Sequence, residues 1–139
     1  KFSNLLKGKT FLMLFFNSSL RTRISFEAAM TELGGHAKFL EPTKLRLRGG
    51  RFIESVEDVA EVMSRYAGGV GIRIHDENVS FFGEGQEFIK DFAKKTSVPV
   101  INMGSDFCHP CQGLADLMGL KDHFDDQLKG KKYLKRNEA

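Results

Sequence analysis

The 139-residue sequence predicts an α/β fold: a three-layer sandwich whose central, mainly parallel sheet of about four strands carries helices on both faces. Three observations carry this expectation. Short apolar runs of strand length alternate with segments of helical period, the order that crossover helices impose on parallel strands. Gly34-Gly35 and Gly68-Gly69 punctuate the pattern where helices should stop. A hydrophobic content of 41%, with thirteen Phe and no Trp, is enough for the core of about one domain.

The first strand is Phe11 to Phe16, an unbroken apolar run that reads as buried. Ile24 to Leu33 forms helix well, so the first helix runs from about Leu20 to Leu33. Asn17-Ser18-Ser19-Leu20-Arg21-Thr22-Arg23 therefore lies where a strand ends and a helix begins. Backbone N–H groups and the positive end of the helix dipole point outward there. Ser19, Arg21 and Thr22 add side-chain donors, and the stretch reads as a socket for a phosphate. The plainer alternative makes Ser19 only an N-cap and Arg21 and Arg23 solvated charges. Two arginines in the first turn oppose the helix dipole, which counts against that alternative.

His36 to Leu40 reads as the second strand. The loop from Pro42 to Arg51 carries Lys44, Arg46, Arg48 and Arg51, either as solvated surface or as an arm reaching a neighbouring site. Ser55 with Asp58 resembles a capping box, and Val56, Val59, Ala60, Met63 and Ala67 share one face of the second helix. The third strand, Val70 to Ile74, contains Arg73. A cation in a buried strand needs a partner, either a structural carboxylate or an anionic ligand. After a loop from His75 to Gly85, the third helix, Gln86 to Lys95, turns Phe88, Ile89 and Phe92 inward. Val98 to Met103 is the fourth strand, with Pro99 at its start, where a missing N–H does least harm. A loop from Gly104 to Cys111 then leads through Gln112 to a fourth helix at Leu114 to Leu120. Ligands of such sheets bind at the carboxyl ends of the strands. Ser19 to Arg23, Arg73, His109 and Gln112 fall along that one edge.

Net charge is +3, from 21 basic and 18 acidic residues, too small and too scattered for nucleic acid but compatible with a small anion. No apolar run approaches the roughly 18 residues of a membrane span. Lys1-Phe2-Ser3-Asn4 lacks the marks of a signal peptide. Cys108 and Cys111 form Cys-His-Pro-Cys, a spacing that also suits redox chemistry. A thioredoxin-like fold would need more strands and a further proline, and no proline follows Cys111. Zinc would need a second ligand pair, so no metal is expected. Two cysteines without a secretion signal fit a reducing cytoplasm.

Phe15-x-x-x-Ser19-x-Arg21-Thr22-Arg23 resembles the carbamoyl-phosphate signature of the aspartate and ornithine transcarbamylases. Its Phe-Phe-Asn opening is most similar to the N-acylornithine branch. His109-Pro110-Cys111-Gln112 looks like the family's His-Pro-x-Gln motif in its ornithine-type form. Gly34-Gly35-His36-Ala37, Ala60-Glu61-Val62, Ser64-Arg65-Tyr66, Val98 to Met103, His123-Phe124 and Lys129 to Tyr133 extend the similarity from about Lys9 to Tyr133.

The resemblance implies a carbamoyltransferase that moves the carbamoyl group of carbamoyl phosphate to the amine of ornithine or an N-acylornithine, without metal, cofactor or covalent nucleophile. It implies that Ser19, Leu20, Arg21, Thr22, Arg73, His109 and Gln112 hold carbamoyl phosphate. Arg21, Arg73, His109 and Gln112 would act on the reacting group. It further implies a homo-oligomer, a trimer with shared sites, in the cytoplasm. Arg48 or Arg51 would then take the part of the family's mobile-loop residue in the adjacent subunit. Leu20 stands where threonine is commoner, so one hydroxyl donor is lost. The family's second domain, which binds the amino acid, is not represented in these 139 residues, which are expected to be a truncated or incomplete form. Residues 1–128 read as the carbamoyl-phosphate domain and 129–139 as the start of a linker or second domain, leaving the acceptor amine open. The alternative is a non-catalytic domain that binds phosphate or another anion.

Overall fold

A computed structural model describes residues 2–42 and 54–124. Strand β1 (Thr10–Phe15) leads to helix α1 (Leu20–Glu32) and strand β2 (His36–Leu40). Helix α2 (Val56–Tyr66), strand β3 (Gly69–Ile74), helix α3 (Glu84–Lys95), strand β4 (Val100–Ser105) and helix α4 (Pro110–Phe124) follow. The strands form one parallel sheet in the order β2-β1-β3-β4. The expected α/β architecture is present.

Period-two alternation in β1 divides the core into two layers. Phe11, Met13 and Phe15 face α1 and pack with Met30 and Met103. Phe11 stacks on Phe26 with ring centroids 5.6 Å apart. Leu12, Leu14 and Phe16 face the other way, where Val59, Ala60 and Met63 of α2 and Ile89 and Phe92 of α3 cover Val70, Ile72 and Ile74. Helices thus lie on both faces, as crossover connections require.

The helix ends follow local chemistry. Gly34 takes φ +82, and the Gly35 and Gly34 N–H groups bond to the carbonyls of Met30 and Thr31, a Schellman closure of α1. The Ser55 hydroxyl accepts from Asp58 N–H at 3.0 Å and caps α2, as the capping-box pattern predicts. Ala67 is the C-cap of that helix rather than part of its inner face.

The first and third strands and the third helix start one or two residues earlier than expected, at Thr10, Gly69 and Glu84, and two boundaries differ in ways that shape the site. The fourth strand is shifted to Val100–Ser105, so Gly104 lies inside it rather than opening a loop. Opposite β3 the register moves from Ile72↔Asn102 to Ile74↔Ser105, which inserts one extra residue on β4 as a bulge facing Arg73. Helix α4 begins at Pro110, not Leu114, because proline at the first helical position loses no needed N–H and already has a helical φ. Arg48, Arg51 and the expected linker 129–139 lie outside the described residues.

Candidate functional site

The chain turns one way after β1, towards β2, and the other way after β3, towards β4. The crevice beyond the carboxyl ends of β1 and β3 is the topological switch point, where such sheets bind ligands. Two bonds tie the β1–α1 loop to the end of β3. Phe16 N–H donates to Arg73 O at 2.9 Å, and the Asn17 side-chain oxygen accepts from His75 N–H at 2.6 Å.

Ser19 occupies the N-cap of α1 in an extended conformation, yet its side chain makes no capping bond. No acidic residue stands in the first turn to offset the dipole. The plainer reading of Ser19 as a cap is therefore not what the structure has. Arg21 is exposed, with Thr22 beside it half-buried. Arg23 is committed elsewhere: its guanidinium lies 4.2 Å from the centre of the Phe39 ring and its Nε is 2.9 Å from Glu27.

Arg73 lies near the end of β3, half-buried. Its Nη1 donates to Met103 O at 3.3 Å and lies 3.4 Å from His109 Nε2, whereas its buried Nε finds no hydrogen-bond partner among the described residues. Among the described residues no carboxylate forms a salt bridge with it. Burial pushes its pKa below the ordinary value of an arginine. A desolvated cation without a counter-ion is costly, and an anion in the crevice would remove that cost. The structural salt bridge, the other reading of this residue, is not found among the described residues.

The bulge gives this group its room. Gly104 has φ +130, and a Cβ there would lie 2.6 Å from His75 Nε2 and 2.8 Å from Arg73 Nη1. His109 precedes α4 and caps it, its Nδ1 accepting from Gln112 N–H at 3.2 Å. Arg73 Nη1 can only donate, so its 3.4 Å approach to Nε2 competes with this bond for the one acceptor of a neutral ring; with the shorter Gln112 bond kept, the proton is on Nε2. Two donors therefore converge on one small volume at the crevice.

The family model described as "Aspartate/ornithine carbamoyltransferase, carbamoyl-P binding domain" matches residues 1–122. The chain belongs to this family. It is 48% identical, over 82% of its length, to an ornithine carbamoyltransferase of Pyrococcus abyssi, of which it covers 32%. It is 40% identical, over 96% of its length, to an N-acetylornithine carbamoyltransferase of Xanthomonas axonopodis pv. citri, of which it covers 42%. The solved ornithine carbamoyltransferase of Pyrococcus furiosus superposes with a TM-score of 0.74 at 45% identity, over 86% of this chain and 34% of that one. A solved acetylornithine transcarbamylase, complexed with acetylcitrulline, superposes at 0.77 with 38% identity, over 94% of this chain and 42% of that one. The chain thus spans about a third to two-fifths of the length of these carbamoyltransferases.

Against the expected carbamoyltransferase site, the fold gathers Arg73 and His109 directly and brings the Ser19–Thr22 turn to the same edge. Gln112 is in the first turn of α4, but its amide nitrogen donates to Asp116 at 2.7 Å, so it does not join the convergence. Cys108 and Cys111 are both free thiols. Burial pushes the Cys111 thiol up, the opposite of what a reactive thiolate needs. Among the described residues, no three His, Cys, Asp or Glu side chains come together as a metal site. Sequence reasoning missed Asn17, His75 and Gly104. Gly104 is followed by Ser105 and Asp106, so its surroundings read as a turn and carry no strand cue.

Proposed function

We propose that this chain is the carbamoyl-phosphate half of a carbamoyltransferase whose acceptor is the amine of ornithine or an N-acylornithine. The observation that carries the reading is Arg73: a half-buried cation without a carboxylate partner among the described residues, beside His109, at the switch point. In this reading the phosphate rests on the N–H groups of Leu20, Arg21 and Thr22, with the Ser19 and Thr22 hydroxyls and the Arg21 guanidinium around it. Arg73 spans the phosphate and the carbonyl oxygen, and His109 Nε2–H donates to that oxygen. Gln112 leaves Asp116 to hold the carbamoyl nitrogen. The neutral amine attacks the carbonyl carbon, and negative charge gathers on the oxygen facing Arg73 and His109. The C–O bond to phosphate then breaks, the attacking nitrogen passes its proton to the departing phosphate, and hydrogen phosphate is left in the charged socket.

The relatives' names support the acceptor class, since they include both ornithine and N-acetylornithine carbamoyltransferases. The extent of the relatives supports a further acceptor-binding part beyond residues 1–128. A cytoplasmic homotrimer belongs to the same reading, with Arg48 or Arg51 of one subunit reaching the next. Leu114, Leu117 and Met118 of α4, all more than half exposed, support packing against further protein. No helix among the described residues is long and apolar enough to cross a membrane.

One observation favours the second reading, a non-catalytic anion-binding domain: the amide of Gln112 is held by Asp116 and away from the crevice. The protein extended to its relatives' length decides between them. We expect release of phosphate from carbamoyl phosphate that depends on ornithine or N-acetylornithine. Release at the same rate with and without either amine would overturn the enzyme reading.

A further inference from the structure

We propose that Asp106 is a positioning residue that sets the place of His109, and through it the preference for a carbamoyl group over bare phosphate; this rests on the function proposed above. Asp106 is the first residue beyond β4. Its Oδ2 accepts from Gly83 N–H at 2.5 Å and its Oδ1 from Gln86 N–H at 3.2 Å, while its own N–H donates to Ile74 O at 3.1 Å. Gly83 is the N-cap of α3, with φ +99 and no side chain to cap with. The helix therefore takes its cap from the β4–α4 loop. A carboxylate held by two N–H groups at a helix N-terminus is a charge-assisted clamp.

A second attachment fixes the same loop. Gln86 Oε1 accepts from Ser105 Oγ and Asn102 Nδ2, both at 3.0 Å. Ser105 N–H donates to Cys108 O at 2.8 Å, and Cys108 N–H donates to Ser105 Oγ at 3.0 Å. The turn from Ser105 to Cys108 is thereby closed on itself and pinned to α3, and the next residue is His109. Gly85 makes the close approach possible, since a Cβ there would lie 2.9 Å from both Asp106 Oδ1 and Ile74 O. The phosphate socket is built on α1, with Arg73 of β3 beside it, and the Asp106 carboxylate bonds to neither. Loss of the Asp106 clamp should release His109 and leave the socket intact.

The test titrates carbamoyl phosphate and inorganic phosphate into the chain and its Asp106→Ala and Asp106→Asn variants. We expect affinity for inorganic phosphate to stay within about twofold and the preference for carbamoyl phosphate to fall by about tenfold or more in Asp106→Ala, the scale of one charge-assisted bond. Asp106→Asn keeps one acceptor oxygen and should fall in between; it carries the test should Asp106→Ala not fold. A preference retained in both variants, or an equal loss of both ligands, overturns the proposal. The ring nitrogen shifts of His109 read the same point without ligand. The wild-type chain should show the proton on Nε2 and Asp106→Ala a mixture of tautomers, whereas an unchanged tautomer overturns the positioning role. A wild-type chain with no preference at all would sink the proposed function instead, and the ring shifts alone would then decide Asp106.

Discussion

Replacing Arg73 by methionine separates a ligand-binding cation from a structural one. The variant loses the 3.3 Å bond to Met103 O, worth about 1 kcal/mol. It also removes a half-buried charge with no carboxylate partner among the described residues, and replacing such charges with apolar groups is neutral or stabilising by about 1–4 kcal/mol. The two effects together predict a ligand-free stability between about 1 kcal/mol lower and about 3 kcal/mol higher than wild type. Ligand response should move the other way. At a phosphate concentration of about 100 times its Kd, the wild-type chain gains about 2.7 kcal/mol by mass action. Losing Arg73 removes charge-assisted bonds worth about 1.5–3 kcal/mol each, enough to raise Kd about a hundredfold. The gain at the same concentration then falls to about 0.4 kcal/mol. Urea unfolding at 25 °C, with and without phosphate, measures both quantities from the same midpoints. A variant that loses more than about 2 kcal/mol without ligand, yet keeps the full phosphate gain, would refute the reasoning and make Arg73 structural.

Three further outcomes follow from the same geometry. Arg21→Ala should cost about a hundredfold in phosphate affinity by calorimetry, with unfolding free energy within about 0.5 kcal/mol, because the side chain is exposed. Gly104→Ala should destabilise by about 2–3 kcal/mol in urea and abolish phosphate binding, since its Cβ would meet Arg73 Nη1 at 2.8 Å and φ is +130. Cys111 has a thiol raised above its ordinary value of 9.0 by burial, so the unfolded chain gives up that proton first. Its contribution is complete below the unfolded value and is lost as pH rises through the folded one. Cys111→Ala should therefore flatten the fall in stability above about pH 9, and identical alkaline slopes would contradict the assignment.

The fold was legible because its information is local. Phe11 to Phe16 and Val70 to Ile74 are apolar runs of strand length, and the intervening helical faces repeat at the helix period. Arg73 was legible for the same reason, since a charge in an apolar strand near its end stands out. The β4–α4 junction was not. Gly104 reads as the start of a loop unless the partner strand is known, because a bulge is a property of two strands in register. Pro110 reads as a rigid turn, although the first helical position suits it equally. Gln112 was assigned to the site on its motif, while its i+4 neighbour Asp116 offered a local partner that the motif does not include. Asn17 and Asp106 act across long sequence separations, on His75 and on Gly83, and no local pattern encodes those pairings.

The central claim is that the crevice holds a carbamoyl group as well as a phosphate. Calorimetric titration of the chain with carbamoyl phosphate, against inorganic phosphate, tests it most directly. The account predicts tighter binding of carbamoyl phosphate by about tenfold or more, the difference expected of the donors His109 and Arg73 on the carbonyl oxygen. Equal affinities would contradict it and leave an anion socket alone.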